Sequence, residues 1–534
     1  MKKTITMKKI ILPFLSCLAI LGSSYAQVRY VDEFFADFTV DNNIGYGTNF
    51  SVLAASQGFP FVPTGTNGIP ALEFDLYQPL NDTETERPLV IVLHTGTFAP
   101  IIYNGNPTGM RQDAATTAIC ESYAKRGYVV ANLEYRLGWN PTAATQALKG
   151  ASLMKAVYRA IQDTKSAVRY FRKDYENGNT YGIDTSRIIL SGQGSGGWVA
   201  LGYATVNKYE EIILPKFLDV DGSGNVTPLI DTTEIGDWNG YGGTWNMENT
   251  PGYSNDVHMV CSMGGGIGDL SWLEAGEIPM CAVHCPTDPV AIYTSGNVSV
   301  DVAGLITTEI SGSYDVMAKA NLLGNNDILA PINAGSDPYT LAAQAASAIA
   351  AGMNDYGGTT IGAPVDNVFP YITGNPGEAS PWDLWDPATV EFIATTVLSL
   401  APGTGTTASN NALVTNPDMG LAKSNAYIDS TLGYFCRRIV RATNLDGLNS
   451  LDEFEALKAL EIYPNPSSDL LVFRAKEGTI ESIEIHSTLG EKVLSELNLS
   501  SSMISFSDLN LKAGIYFCSV EIDGHMLNKK VVIK

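Results

Sequence analysis

Apolar runs of strand length alternate with amphipathic stretches along most of this 534-residue chain. Residues 88–93 are a continuous apolar run, the run at 127–133 predicts the next strand, and residues 72–76 alternate between apolar and polar as an outer strand does. After the second run, apolar side chains recur at helical spacing at Val157, Ile161, Val168 and Phe171. This pattern predicts the α/β class, with a mostly parallel sheet that helices cover on both faces.

The C-terminal part of the chain follows a different pattern. Short alternating runs recur there, at 470–473, 483–486, 504–506, 514–520 and 531–533. Such spacing is typical of a small all-β sandwich. We therefore predict an α/β domain at 27–447, a linker at 448–460 and a β domain at 461–534. Within the first domain, residues 427–441 predict a closing helix, and the Gly/Thr/Asn-rich residues 402–417 predict a loop.

One segment carries the shape of a catalytic turn without its nucleophile. A predicted strand at 187–190 leads into Ser191-Gly192-Gln193-Gly194-Ser195-Gly196-Gly197. In the G-x-S-x-G elbow, a strained strand-to-helix turn lifts a serine above the sheet. Gly192 and Gly196 occupy the two glycine positions, and Gly194 stands where the serine is required.

Further segments in the same order resemble the carboxylesterase-like α/β-hydrolases. Residues 94–98 (HTGTF) resemble the family's H-G-G-G-F oxyanion loop, and residues 134–138 (EYRLG) resemble its N-Y-R-L-G. Residues 278–289 resemble the strand that ends in H-G-x-x-D-P. The likeness spans roughly residues 70–300 and implies the α/β-hydrolase fold, with a lid insertion at about 205–255.

This resemblance implies where the catalytic groups would lie. The backbone N–H groups of Gly96, Thr97 and Ser195 would form the oxyanion hole. Asp288 matches the family's acid, although an ordinary turn-forming Asp before a proline accounts for it as well. The family's histidine follows the acid, yet no histidine occurs between His284 and His486, and the loop where it belongs reads GNPGEASPWD. Two of the three triad members are therefore missing from their expected places.

Other groups near these segments offer weaker routes to catalysis. Ser195 begins a predicted helix whose positive end favours an alkoxide, but it lies one residue beyond the nucleophile position. His94 is interpreted as a residue that holds the oxyanion loop, and His258 as part of the strand before Cys261. Glu378 is interpreted as a solvated loop carboxylate.

The N-terminal segment and the net charge indicate the compartment in which the protein is expected to act. Residues 1–26 carry four lysines, then an apolar stretch and Ser24-Tyr25-Ala26, as a cleavable signal peptide does. Its removal takes the net charge from -23 to -27, since four lysines leave. Such an acidic protein is a poor partner for nucleic acid, and no other segment is long and apolar enough for a transmembrane helix.

The cysteines leave two interpretations open. Six remain in the mature chain: Cys120, Cys261, Cys281, Cys285, Cys436 and Cys518. An even number permits disulfides, with the pairing undetermined. The cysteines that flank His284 could suggest a metal site, but strand cysteines beside a strand-end histidine explain the pattern better, because no further ligand has zinc spacing.

The β domain resembles the type A C-terminal sorting domain of the type IX secretion system. Its marks are Y-P-N-P at 463–466, I-x-x-x-x-G at 485–490, G-I-Y at 514–516 and the basic end at 529–534. The resemblance implies partners in the type IX machinery and its sortase. It also implies a secreted or surface-attached protein from which the tail is removed.

A calcium loop is a further hypothesis. Asp219, Asp221, Ser223 and Asn225 place oxygens as the first half of an EF-hand loop does, with Gly224 at its sixth position. Ile230 replaces the acid at position 12, and a plain turn fits the same residues. We predict no other cofactor.

Three functions remain open from the sequence. The first is a pseudo-hydrolase that keeps its pocket and binds an ester, glycan or peptide ligand. The second is an active carboxylic-ester hydrolase that uses Ser195 and Asp288. The third is a surface adhesin or scaffold that needs no pocket.

Overall fold

The computed structural model describes residues 27–53, 62–66, 69–220, 223–300, 304–445, 460–465, 467, 470–475, 479–487, 492–507, 511–522 and 525–534. The predicted signal peptide, the predicted linker up to residue 459, and Asp221 lie outside the described residues.

The body is built on one eight-stranded sheet. Its strands are β1 (Phe38–Gly47), β2 (Leu72–Pro79), β3 (Arg87–Leu93), β4 (Val129–Leu133), β5 (Ile183–Gln193), β6 (Met259–Met263), β7 (Met280–His284) and β8 (Val368–Pro370). They lie side by side in the order β1-β2-β4-β3-β5-β6-β7-β8. β2 runs antiparallel to both β1 and β4, and the remaining neighbours are parallel. The predicted mostly parallel sheet is confirmed.

Helices cover both faces of this sheet. They are α1 (Ala114–Arg126), α2 (Gln146–Glu176), α3 (Ser195–Thr205), α4 (Ser313–Leu322), α5 (Pro338–Ala350), α6 (Pro387–Phe392), α7 (Thr404–Ala412) and α8 (Leu421–Ala442), with shorter turns at Tyr209–Ile212, Thr232–Ile235 and Ala330–Asn333. Successive β3 side chains enter opposite cores, since Ile91 packs in one buried cluster with Phe171 of α2, and Val92 in another with Phe435 of α8. This two-sided burial explains the continuous apolar runs.

The predicted helices at 157–171 and 427–441 are confirmed as parts of α2 and α8. The predicted loop at 402–417 is wrong, because it contains α7. Gly405 of α7 approaches α6 so closely that a Cβ there would lie 2.6 Å from the Glu391 Cα. Tertiary packing therefore holds a helix that its composition disfavours.

Two insertions rise beside the carboxyl ends of the parallel strands. The insertion predicted at about 205–255 includes a small hairpin of Leu218–Val220 and Val226–Pro228. The second insertion was not predicted, and it forms a hairpin of Ser295–Val300 and Gly304–Gly312 after β7. Among the described residues, no helix has the length and apolarity needed to cross a membrane.

The C-terminal domain is all β, as predicted. Its strands are β9 (Leu460–Tyr463), β10 (Leu470–Ala475), β11 (Ile480–Ser487), β12 (Lys492–Ser501), β13 (Met503–Ser507), β14 (Gly514–Ile522) and β15 (His525–Ile533). They form two antiparallel sheets, in the orders β9-β10-β13 and β12-β11-β14-β15. Phe473, Ile483 and Val520 are fully buried in the core that the two sheets share.

The six cysteines in the described part of the chain are all buried free thiols. The Sγ atoms of Cys261 and Cys281 lie 3.7 Å apart on the neighbouring strands β6 and β7. Burial raises the pKa of Cys261 well above its usual value, so this thiol stays protonated.

Candidate active site

The turn between β5 and α3 has the geometry of a nucleophile elbow. Gly194 joins the two elements at φ 54° and ψ −117°, in a region that disfavours side chains. Its N–H donates to the Met263 carbonyl at 2.7 Å. The flanking glycines make the turn possible, because a Cβ on Gly192 would lie 2.0 Å from the Gly196 oxygen.

The space for a nucleophile's side chain is filled by another residue. A Cβ built on Gly194 would lie 2.2 Å from Thr95 Oγ1 and 3.0 Å from Thr95 Cβ. A serine at 194 therefore does not fit beside this threonine. The sequence shows that Thr95 replaces the first glycine of the family's oxyanion loop. The sequence interpretation did not predict that this threonine would fill the space of a side chain at 194.

The predicted oxyanion hole keeps its donors. In the described part of the chain, no group accepts a hydrogen bond from the backbone N–H of Gly96, Thr97 or Ser195, and all three residues line one cavity. The loop is braced from behind, because the Thr97 carbonyl accepts from Trp139 Nε1 at 2.8 Å. Free N–H groups of this kind suit a carbonyl oxygen or an oxyanion.

His94 holds this loop, as the sequence interpretation has it. Its Nδ1 donates to the Thr95 carbonyl at 2.6 Å, and its ring stacks on Tyr135 with centroids 4.6 Å apart. Burial is the largest single influence on the pKa of His94 and lowers it, but the Glu134 carboxylate, 3.3 Å from Nε2, the Thr95 carbonyl and Asp113 together raise the pKa overall. An imidazole whose two nitrogens are engaged in this way offers no free base to the elbow.

Ser195 lies near a phenol. Its Oγ is 3.4 Å from the Tyr135 hydroxyl, which donates to the His94 carbonyl at 2.7 Å. Burial raises the pKa of Tyr135 above its usual value, so the phenol stays neutral. A catalytic role for Ser195 stays a prediction.

Asp288 lines the same cavity and is fixed by the backbone. Its Oδ1 accepts from the N–H groups of Val290 at 2.7 Å and Ala291 at 2.9 Å, and its Oδ2 lies 3.5 Å from His284 Nε2. The His284 ring is fully buried, with Nδ1 2.9 Å from Ser313 Oγ. The His284 Nε2 makes its hydrogen bond with the Ala291 carbonyl at 2.9 Å, so the predicted acid lies near this imidazole without being its hydrogen-bond partner.

His258 was predicted on the strand before Cys261, but it lies one residue before β6, at the amino-terminal end of that strand. Its Nδ1 accepts from the Ile188 N–H at 3.0 Å, five residues before the end of β5. This imidazole therefore has no part at the elbow.

The loop where the family's histidine belongs brings a carboxylate instead. Asp383 is 8% exposed and lines the cavity, and its Oδ1 accepts from Gln193 Nε2. Gln193 is held in turn by Thr116, whose hydroxyl donates to Oε1 at 2.9 Å. Burial raises the pKa of Asp383 to about 7, with a further contribution from the charge of Asp113.

The interpretation of Glu378 as a solvated carboxylate is wrong. Glu378 is 1% exposed, and its Oε1 pairs with Lys423 Nζ while its Oε2 accepts from Asn375 at 3.2 Å. The lysine lies on α8, 45 residues further along the chain, and local sequence gives no sign of it.

The cavity at the elbow has a volume of about 210 Å³ and mostly apolar walls. Four tryptophans contribute to it: Trp198, Trp272, Trp382 and Trp385. Val298 and Ile310 of the unpredicted hairpin also line it. This space is where the arrangement can hold a ligand.

The predicted calcium loop falls on the hairpin of the first insertion. Asp219 is exposed and pairs in register with Thr227. Among the described residues, no group of three His, Cys, Asp or Glu side chains is suited to a metal ion, around Cys281 and His284 included. Calcium binding stays a prediction, since Asp221 lies outside the described residues.

Comparison with known families matches both parts of the chain. Residues 74–259 match the BD-FAE family, an esterase-like α/β-hydrolase domain. Residues 461–534 match the family described as "Secretion system C-terminal sorting domain". The chain thus carries an esterase-like α/β-hydrolase domain and a type IX sorting domain, which directs export to the cell surface or the extracellular space.

Solved structures similar to this chain include esterases. The propionate-bound esterase Est2 of Thermogutta terrifontis is 16% identical, with coverage of 42% of this chain and 70% of that chain and a TM-score of 0.26. Esterase B from Lactobacillus rhamnosis is 14% identical, with coverage of 48% and 68% and a TM-score of 0.28. No curated protein sequence matches the chain.

Proposed function

We propose that this protein is an exported pseudo-hydrolase, which binds a ligand in the elbow cavity and does not hydrolyse it. One observation carries the proposal: the Thr95 hydroxyl fills the space beside Gly194 that a catalytic serine would need. The glycine at 194 and the threonine at 95 fit each other, because the small residue leaves the space that the threonine side chain fills. Such a fit is expected of a site that no longer needs a catalytic serine.

The missing chemistry supports the same conclusion. Acyl transfer in this fold needs a hydroxyl that an imidazole deprotonates, and loss of either group costs several orders of magnitude in rate. At the elbow, Gly194 supplies no hydroxyl, and Asp383 reaches Gln193 from the loop where the base belongs. The imidazole of His94 is engaged on both nitrogens.

The features that bind rather than react are kept. Three backbone N–H groups, of Gly96, Thr97 and Ser195, line an apolar cavity. N–H groups that the backbone holds in place before a ligand binds can orient its oxygen without reorganisation, and the apolar walls give affinity.

Binding and turnover are measured in one experiment. The cavity tryptophans report binding through their fluorescence, and p-nitrophenyl butyrate reports turnover through release of p-nitrophenolate. We expect a saturable fluorescence change with release at the buffer rate. Turnover that Ser195→Ala abolishes would replace this proposal with the displaced-nucleophile esterase, and the absence of any saturable change would favour the scaffold.

A gain-of-function series tests the physical reason. Gly194→Ser alone leaves the clash with Thr95 in place, and we expect no activity from it. The triple variant combines Thr95→Gly, which opens the space, Gly194→Ser, which supplies the hydroxyl, and Asp383→His, which supplies the imidazole. We therefore expect measurable ester hydrolysis only from the triple variant. Activity of the single Gly194→Ser variant equal to that of the triple variant would contradict the proposed competition for space.

A further inference from the structure

The walls of the elbow cavity contain acidic side chains and, among the described residues, no lysine or arginine. Two carboxylates, Asp288 and Asp383, line the cavity. Asp288 lies 3.5 Å from the Nε2 of His284. Asp383 forms no ion pair in the described part of the chain, and its side chain accepts from the neutral Gln193.

The surroundings of Asp383 make this carboxylate the exceptional one. Its hydrogen bonds come from neutral groups, Gln193 and Ser380. The charged group that acts on it is another acid, Asp113, which itself accepts from the N–H groups of Gly109 at 2.6 Å and Met110 at 2.9 Å. A buried carboxylate in this position is costly to ionise unless a cation joins it.

One tryptophan ring lies near Asp288, and further tryptophans line the same cavity. Trp382 precedes Asp383 in the chain, and its ring and Asp288 Oδ2 both lie 3.8 Å from the point that a Cβ on Gly264 would occupy. Trp198 of α3 and Trp272 line the cavity as well. Tryptophan faces attract cations most strongly when water is excluded.

We propose that the cavity binds an organic cation, a protonated amine on an apolar body, with its ammonium group beside Asp383. The inference rests on the proposed ligand-binding function and names the class of ligand. The apolar walls take the body of the ligand, and the ammonium supplies the positive charge that the cavity walls lack.

Binding should depend on pH through Asp383, which lines the cavity together with Asp288, and through Asp113, which lies outside the lining and acts on Asp383 by its charge. Asp383 has a pKa raised to about 7 by burial and Asp113, and Asp113 has one raised to about 6 by burial. His94 lies beside Asp113, and its charge opposes the rise in the Asp113 pKa. An alkyl ammonium has a pKa near that of lysine, about 10, and stays charged throughout. Its affinity should therefore rise as pH rises through 7, because the carboxylates ionise.

The test compares three probes of equal length: octylamine, octanol and octanoate. Tryptophan fluorescence titrations with the full chain are done at about pH 5.5 and about pH 8.5. We expect octylamine to bind about tenfold or more tighter than octanol at the higher pH, a preference that shrinks at the lower pH. Asp383→Asn should remove the preference, whereas Glu234→Gln, which removes an exposed charge, should keep it.

The outcomes separate this inference from the proposed function. Binding of octanol or octanoate with no preference for octylamine would overturn the cation inference and leave the ligand-binding function standing. Failure of all three probes to bind would overturn the cation inference, and the p-nitrophenyl butyrate titration would decide the ligand-binding function independently. If Asp383→Asn does not fold, the pH series of the unmodified protein still decides, because a preference for octylamine that does not grow with pH would overturn the cation inference.

Discussion

At the scale of the residue, Thr95 and Gly194 together determine whether the elbow can hold a serine side chain. Because their space is shared, Gly194→Ser should destabilise the fold by roughly 1–3 kcal/mol, the usual cost of overpacking. Thr95→Gly should relieve most of that cost in the double variant. Thermal unfolding of the two single variants and the double variant measures the coupling, and strictly additive effects would show that the two side chains do not compete.

Asp383 predicts a dependence of stability on pH. Its pKa is raised in the folded protein, to about 7, above the ordinary value of 3.8, so the fold binds the proton more tightly and loses stability as pH rises between these values. A rise of this size corresponds to roughly 4 kcal/mol. Asp383→Asn should therefore raise the melting temperature more at pH 8 than at pH 5, and an equal gain at both would contradict the raised pKa.

At the scale of the element, the main strands of the body could be predicted because burial on both faces leaves continuous apolar runs. The predicted runs at 88–93 and 127–133 coincide with β3 and β4 to within two residues. The site could be predicted only in part. The elbow and its missing serine are local in sequence, but Gln193 meets Asp383 across 190 residues, and only the folded chain brings them together.

The helix α7 gives an element-scale test. A Gly→Ala change within a helix usually stabilises it, yet at Gly405, the second residue of α7, the new Cβ would lie 2.6 Å from the backbone of α6. We expect Gly405→Ala to lower the melting temperature. Gly374→Ala is the matched control, because a Cβ there has no neighbour within 4 Å.

The first insertion carries the calcium hypothesis. If the loop at 219–226 binds calcium, linkage requires a melting temperature that rises with calcium concentration. The sequence predicts this rise in calorimetry, and Asp219→Asn should abolish it. Identical melting curves in excess calcium and in chelator would contradict the calcium hypothesis.

At the scale of the whole molecule, the type IX sorting domain sets the route of the chain. We predict that the exported protein lacks residues beyond roughly 455, since the sorting tail is expected to be removed on export. Intact mass of the protein recovered from its host measures this. A full-length tail on the exported protein would contradict it.

The central claim is that the elbow holds no activated nucleophile. Intact-mass spectrometry of the purified protein after incubation with a fluorophosphonate tests it most directly, because this reagent reacts with an activated serine and leaves a fixed mass on it. We predict no added mass for the unmodified protein and one adduct, on the introduced serine, for the Thr95→Gly, Gly194→Ser, Asp383→His variant. A stoichiometric adduct on Ser195 of the unmodified protein would contradict the claim.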